Sequence, residues 1–305
     1  MKYTKKCNKT TKQYTGGRKR ITHKKHHTRK KKFKKLNCSP NKKLQYTCYS
    51  PSSLIKLKNE WNKDFPNKKI YSNDPYKIWI QLKQSLDEKC HDEKCWLSQE
   101  FMYNSITEDL RKTTFAPVAP ESWKTDPNVW LNSNDIINLM KQYESKFKYF
   151  KFIGPSPIDF DKKKHFGNCV WNDLCNFSLK ELINQGKYII GIIWNTDPHD
   201  EPGEHWICMI INIKNQYIYF FDSNADRAPV EVKKFQNKVK LQGKALNIDF
   251  KIRKNKKRHQ YENSQCGMYC LYIITTVVKN PNHSLEFKER ITDKQMENLR
   301  KKFYN

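Results

Sequence analysis

Three stretches between residues 187 and 223, KYIIGIIWN, HWICMIINI and YIYFFDS, are apolar at nearly every position and of strand length. Runs that do not alternate suit strands covered on both faces. The polar turn Lys214-Asn215-Gln216 separates the last two, which predicts a hairpin. KYFKFIG (148–154) and LNIDFKI (246–252) are further strand candidates, and FSLKELINQ (177–185) reads as a short helix. In WLNSNDIINLMKQYESKF, Asn132 or Asn134 starts a helix whose buried stripe is Ile136, Ile137, Met140 and Tyr143. MYCLYIITTVV (268–278) is apolar all round, as a buried helix is. Earlier, KIWIQLKQSL spaces Ile78, Leu82 and Leu86 four apart, so residues 51–115 read as a helical accessory region. Pro117, Pro120 and Pro127 then make an extended linker, and 116–305 reads as an α+β domain with a central mixed sheet packed by helices.

Charge changes the picture only at the front of the chain. Of 59 Lys and Arg residues, 18 lie within residues 1–50, whereas the first acidic residue is Glu60. With few apolar residues to offset the entropy of ordering, 1–50 reads as a disordered basic arm. Such an arm binds nucleic acid through its phosphates, or is a solvated tail or nuclear-import signal. No run approaches the ~18–20 apolar residues of a membrane span. Ten scattered cysteines lack a short-spaced disulfide framework and predict a reduced, intracellular setting. Cys90, His91 and Cys95 resemble half of a zinc site but have no second pair, so no metal is expected; Cys169, Cys175 and Cys270 are assigned to the core.

Candidate chemistry gathers in the second half. Reflecting the hairpin about its turn sets His205 opposite Asp222, within reach of a hydrogen bond that would orient the imidazole. A cross-strand polar pair at a sheet end explains the same residues. In QYENSQCGMYC, Cys266-Gly267 stands at the start of the apolar helix, where free N–H groups favour a thiolate and the Cys266 N–H can face an oxyanion. Gln260 or Gln265 would supply a second donor. A small buried hydrophobe is the alternative for any one cysteine.

The ordered set His205-Trp206, Asp222, Gln260 and Cys266-Gly267 resembles the SUMO-deconjugating and adenovirus-type cysteine proteases, and WLNSNDIINLM resembles the opening of their catalytic domain. The likeness covers roughly residues 128–280. It implies a papain-like cysteine protease fold with the nucleophile at a helix N-terminus. Catalysis falls to His205, Asp222, Gln260 and Cys266, and substrate binding to Trp130, Trp206 and Gly267. Cellular members usually carry Asp before Cys-Gly, where this chain has Gln265. The arm, the helical region and a composition with only nine Arg look more like the capsid-maturation proteases of large DNA viruses, of the mimivirus and African swine fever virus kind. That likeness implies a monomer without cofactor, with DNA as a candidate activator, cutting structural polyproteins after Gly-Gly in the virion or viral factory. Deconjugation of SUMO-like modifiers, with a nuclear location, and a non-catalytic nucleic-acid scaffold are the alternatives. The chain's one Gly-Gly pair, Gly16-Gly17, makes Gly17-Arg18 a candidate self-cleavage site.

Overall fold

The computed structural model describes residues 32–102, 105–164, 167–287 and 289–305. The first 31 residues of the basic arm, Gly17-Arg18 included, lie outside the described residues. Residues 33–305 form one compact unit.

The accessory part holds α1 (Pro51–Asp64), α2 (Pro75–Ser85), α3 (Glu93–Trp96) and α4 (Ser105–Thr114). Ser50 and Asp74 cap α1 and α2, each with Pro at the first helical position. Leu54, Leu57, Trp61, Ile78, Leu82, Trp96 and Phe115 form its core. Residues 33–50 belong to that core, which corrects their assignment to a disordered arm. Tyr49 is fully buried, stacks on Trp96 and donates to the Glu93 carbonyl oxygen at 2.7 Å. A few aromatics packed against a preformed helical surface bury enough area to order a segment whose average composition is polar.

The cysteines give a second correction. Cys38–Cys48, Cys90–Cys95 and Cys169–Cys175 are disulfides, with Cα–Cα separations of 5.1, 5.5 and 6.2 Å. Six cysteines expected as thiols are therefore paired, and Cys169 and Cys175 are bonded to each other rather than serving as free core thiols. The folded turns bring residues five to ten positions apart within bridging range. Cys270 is buried and free, as expected.

Beyond the linker come α5 (Ser133–Lys146), β1 (Phe150–Ser156), α6 (Asn172–Cys175), α7 (Leu179–Asn184), β2 (Ile189–Asn195), β3 (Trp206–Asn212), β4 (Tyr217–Phe221), α8 (Val230–Lys244), β5 (Lys251–Lys254), α9 (Cys266–Lys279) and α10 (Asp293–Phe303). The sheet runs in the order β1-β2-β3-β4-β5, antiparallel across β2-β3 and β3-β4 and parallel at both edges. One face packs on α5, α9 and α10 through Phe150, Ile193, Ile210 and Phe221. The other packs on α7 and α8 through Ile190, Ile192, Met209, Phe220, Val232 and Phe235. Cover on both faces is why β2, β3 and β4 read as unbroken apolar runs. In α5, Leu139 is buried and Ile137 only partly so.

The linker is tied down rather than free. Ala119 donates to the Asn305 carbonyl at 2.7 Å, Asn305 returns a bond to the Pro117 carbonyl at 2.8 Å, and Gln142 of α5 spans to the Lys112 and Phe115 carbonyls. Where α9 crosses β2, a Cβ on Gly191 would sit 2.9 Å from Ile274 Cγ2 and 3.1 Å from the Phe150 ring. Gly191→Ala is expected to destabilise the fold by about 1–3 kcal/mol, as overpacking does, read from chemical denaturation.

Candidate active site

Three elements converge on one point. The hairpin turn spans residues 213–216, with Gln216 in the left-handed region (φ 52°), and sets Cys208 opposite Phe221. Continued outward, this register puts Asp222 across from Ile207, two residues from the expected pairing with His205, because the turn is centred one residue later. A shift of two keeps side chains on the same face, so the pair still meets on the diagonal. His205 Nε2 lies 2.9 Å from Asp222 Oδ1, and both side chains are largely buried.

Asp222 is held from its own backbone outward. Asn255, just past β5, accepts from the Asp222 N–H at 3.1 Å and donates to its carbonyl at 2.6 Å; Asn224 N–H donates to Oδ1 at 2.8 Å. The carbonyl of Ser223 accepts from the N–H groups of His259 and Gln260, and Ser223 Oγ donates to Gln260 Oε1 at 2.8 Å. The oxygen of the Gln260 amide is thus engaged, leaving its NH₂ as the donor end.

Cys266 is the first residue of α9 and 2% exposed. Burial pushes the His205 imidazole down, but hydrogen bonds with Asp222 and Cys266, and the negative charge of both, more than offset it and raise it to about 10. With Nε2 taken by Asp222, Nδ1 is the nitrogen left to share a proton with Cys266.

Trp206 begins β3 and donates from Nε1 to the Leu131 carbonyl at 2.9 Å. The reciprocal capping box of Asn132 and Asp135 fixes this start of α5. Trp130, 42% exposed, and Trp206 border a cleft of about 500 Å³ that also takes in Asn195, Gly203 and Trp171. A Cβ on Gly267 would lie 3.1 Å from Leu131 and 3.2 Å from Trp206, so the side of the helix next to the nucleophile is filled. Of the sequence-selected residues, His205 bonds to Asp222 and Gln260 to the neighbouring Ser223, Gly267 and Trp206 meet at Leu131, and Trp130 borders the cleft with Trp206.

A family model described as the Ulp1 protease family, C-terminal catalytic domain, matches residues 137–305. The chain belongs to the Ulp1 protease family. It is a cysteine protease. A thiol protease of Acanthamoeba polyphaga mimivirus is 28% identical over 280 residues, covering 83% of this chain and 89% of the relative. A cysteine protease of African swine fever virus is 27% identical over 240 residues, covering 73% and 85%. A crystal structure of an African swine fever virus protease superposes with a TM-score of 0.62 at 19% identity, over 88% of this chain and 95% of that one, and so shares its α+β fold.

In this Ulp1-family chain Gln265 is spoken for. It is fully buried, its amide NH₂ donates to Asn128 Oδ1 and Ser264 Oγ, and its Oε1 accepts from Arg300 Nη2, each at 3.2 Å. Arg300 also donates to the Val129 and Ser264 carbonyls and lies over the Trp123 ring. A C-terminal helix thereby clamps the loop in front of Cys266. Sequence reasoning missed Asn255, Ser223 and Arg300. Asn255 and Arg300 sit in Lys-rich stretches that read as solvated, and Ser223 is one of many serines; only the fold shows them buried.

Proposed function

We propose that Cys266 is the nucleophile, His205 the general acid and base, Asp222 the group that orients it, and Gln260 with the Cys266 N–H the oxyanion donors. The observation that carries this reading is an imidazole hydrogen-bonded to a buried carboxylate, with the thiol at the start of a long buried helix near enough to help keep that imidazole protonated. The Cys266 thiolate attacks the scissile carbonyl carbon, and the oxyanion accepts from the Cys266 N–H and Gln260 Nε2. His205 gives its Nδ1 proton to the leaving amine, a thioester remains, and water deprotonated by His205 releases the acid and the thiolate. These steps call for no metal or organic cofactor and only one chain.

The substrate in this reading is a structural polyprotein precursor cut after Gly-Gly-type sites during virion maturation, in the particle or the viral factory. Trp130 and Trp206 line the approach, where residues without side chains thread most easily, and Gly267 lets Leu131 and Trp206 pack closely against the helix beside the nucleophile. The likeness to proteases of two large DNA viruses, along most of their length, supports it. The basic segment ahead of residue 33 contacts nucleic acid.

The test is hydrolysis of fluorogenic peptides ending in Gly-Gly or Ala-Ala, with and without DNA, beside a SUMO-linked reporter. Gly-Gly turnover is expected to exceed Ala-Ala by about tenfold or more, since a Cβ in a close-fitting channel costs kilocalories. Strong preference for the SUMO reporter over a precursor containing Gly-Gly would favour deconjugation. The two glutamines separate cleanly. Gln260→Ala is expected to lower kcat about 10²–10³-fold with an unchanged fold. Gln265→Ala should instead cost about 1–3 kcal/mol of stability by leaving Arg300 short of an acceptor.

A further inference from the structure

The sheet ends at β5, and all four of its residues are exposed. Its outer edge therefore presents backbone N–H and C=O groups that no strand of this chain pairs among the described residues. The segment from Lys251 to Arg258 reads KIRKNKKR, six cations in eight residues and no acid. Among the described residues, no ion pair engages Lys251, Arg253, Lys254 or Lys256. Beside this edge runs an open groove of about 990 Å³, bordered by Ile252, Arg253, Lys254 and Lys256 and floored by Tyr219, Leu285, Phe287 and His259, with Glu286 its one acid.

His259 lies under the same groove. It is fully buried, and its Nδ1 accepts from the Ile291 N–H at 3.0 Å, so the neutral ring carries its proton on Nε2. That Nε2–H has no hydrogen-bond partner. A buried donor left unpaired costs roughly 1–3 kcal/mol.

We propose that the outer edge of β5 and the groove beside it dock an acidic, extended segment of a protein partner. A polypeptide can add to the edge as a strand, with main-chain bonds supplying affinity and alternate side chains entering the groove. The lysines on the edge repel a second copy of the same edge and select a partner of opposite charge. Ile252, 45% exposed, and the apolar floor suit side chains between the acidic ones, which phosphodiester backbone would leave uncovered. The same segment continues directly into Asn255 and Gln260, so an occupant lies next to the loop that holds Asp222. Docking does not depend on the catalytic reading, and it is measured without turnover.

The test is hydrogen–deuterium exchange of the full chain with a short peptide of alternating Glu and Val, its Gln-for-Glu counterpart, and a single-stranded oligonucleotide. The Glu peptide is expected to slow exchange at residues 251–254 about tenfold or more, and the Gln peptide to leave it unchanged. The double variant Arg253→Glu/Lys254→Glu should lose that protection while keeping its thermal transition and its turnover of short peptides, because both side chains are exposed. Lys256→Glu is a second variant should the pair disturb folding, with the same loss expected. No protection at 251–254, equal protection by the Gln peptide, or displacement of the Glu peptide from these residues by the oligonucleotide would overturn the proposal.

Discussion

Replacing Cys266 by Ala is expected to abolish peptide hydrolysis, by about 10⁴-fold or more, while the protein folds as before. The size follows from the chemistry. Without the sulfur no thioester forms, and the oxyanion donors alone act only on direct attack by water. Folding survives because Ala keeps the first position of α9, and the helix is held by Met268, Tyr269, Leu271, Ile273 and Ile274 in the core rather than by the thiol. Cys208→Ala and Cys270→Ala make the contrast. Both thiols are buried and free, burial pushes Cys270 up, and these variants should lower stability more than activity. The check is kcat/KM and thermal unfolding measured on all three variants.

Asp222→Asn should lower kcat/KM by about 10²–10⁴-fold and reshape its pH dependence. In the wild type His205 rises from an ordinary 6.5 to about 10, so the imidazolium persists through neutral and mildly alkaline pH. A group raised on folding stabilises the native state fully below its unfolded value, and that contribution fades as pH climbs through the folded one. The window here is 6.5 to about 10. The amide keeps the shape of the carboxylate but not its charge, leaving Cys266 as the main support of the cation. The alkaline limb of kcat/KM should therefore move down from about pH 10. The stability difference from wild type should be largest at the lower end of the window and close above it. An unchanged alkaline limb would show that Asp222 does not hold the proton on His205.

Much of this was legible because burial leaves a strong mark on sequence. The strands β2, β3 and β4 and helix α9 are covered on every side, so each reads as an apolar run. The meeting of His205 and Asp222 survived an error in register, because a slip of two preserves which face a side chain takes. What did not show are elements whose buried positions are few among lysines. Helix α8, VEVKKFQNKVKLQGK, buries Val232, Phe235 and Val239 on one stripe that the intervening charges conceal. Strand β5 occupies 251–254 rather than 246–252, because an exposed edge strand needs no apolar face. Residues 33–50 look unfoldable alone and are ordered by contact with Trp96 and the α3 segment, with residues 113–116 and with the C-terminal Tyr304 and Asn305. Disulfide pairing depended on turns that spacing does not reveal.

The most direct test of the site is covalent capture. A peptide ending in Gly-Gly with a vinyl ester in place of the scissile bond accepts a thiolate by conjugate addition, giving a stable thioether. Intact-mass spectrometry of the full chain should show one added peptide, mapped to Cys266, and His205→Ala should slow its formation sharply. Labelling at Cys208 or Cys270, or no adduct on a folded protein, would contradict the account.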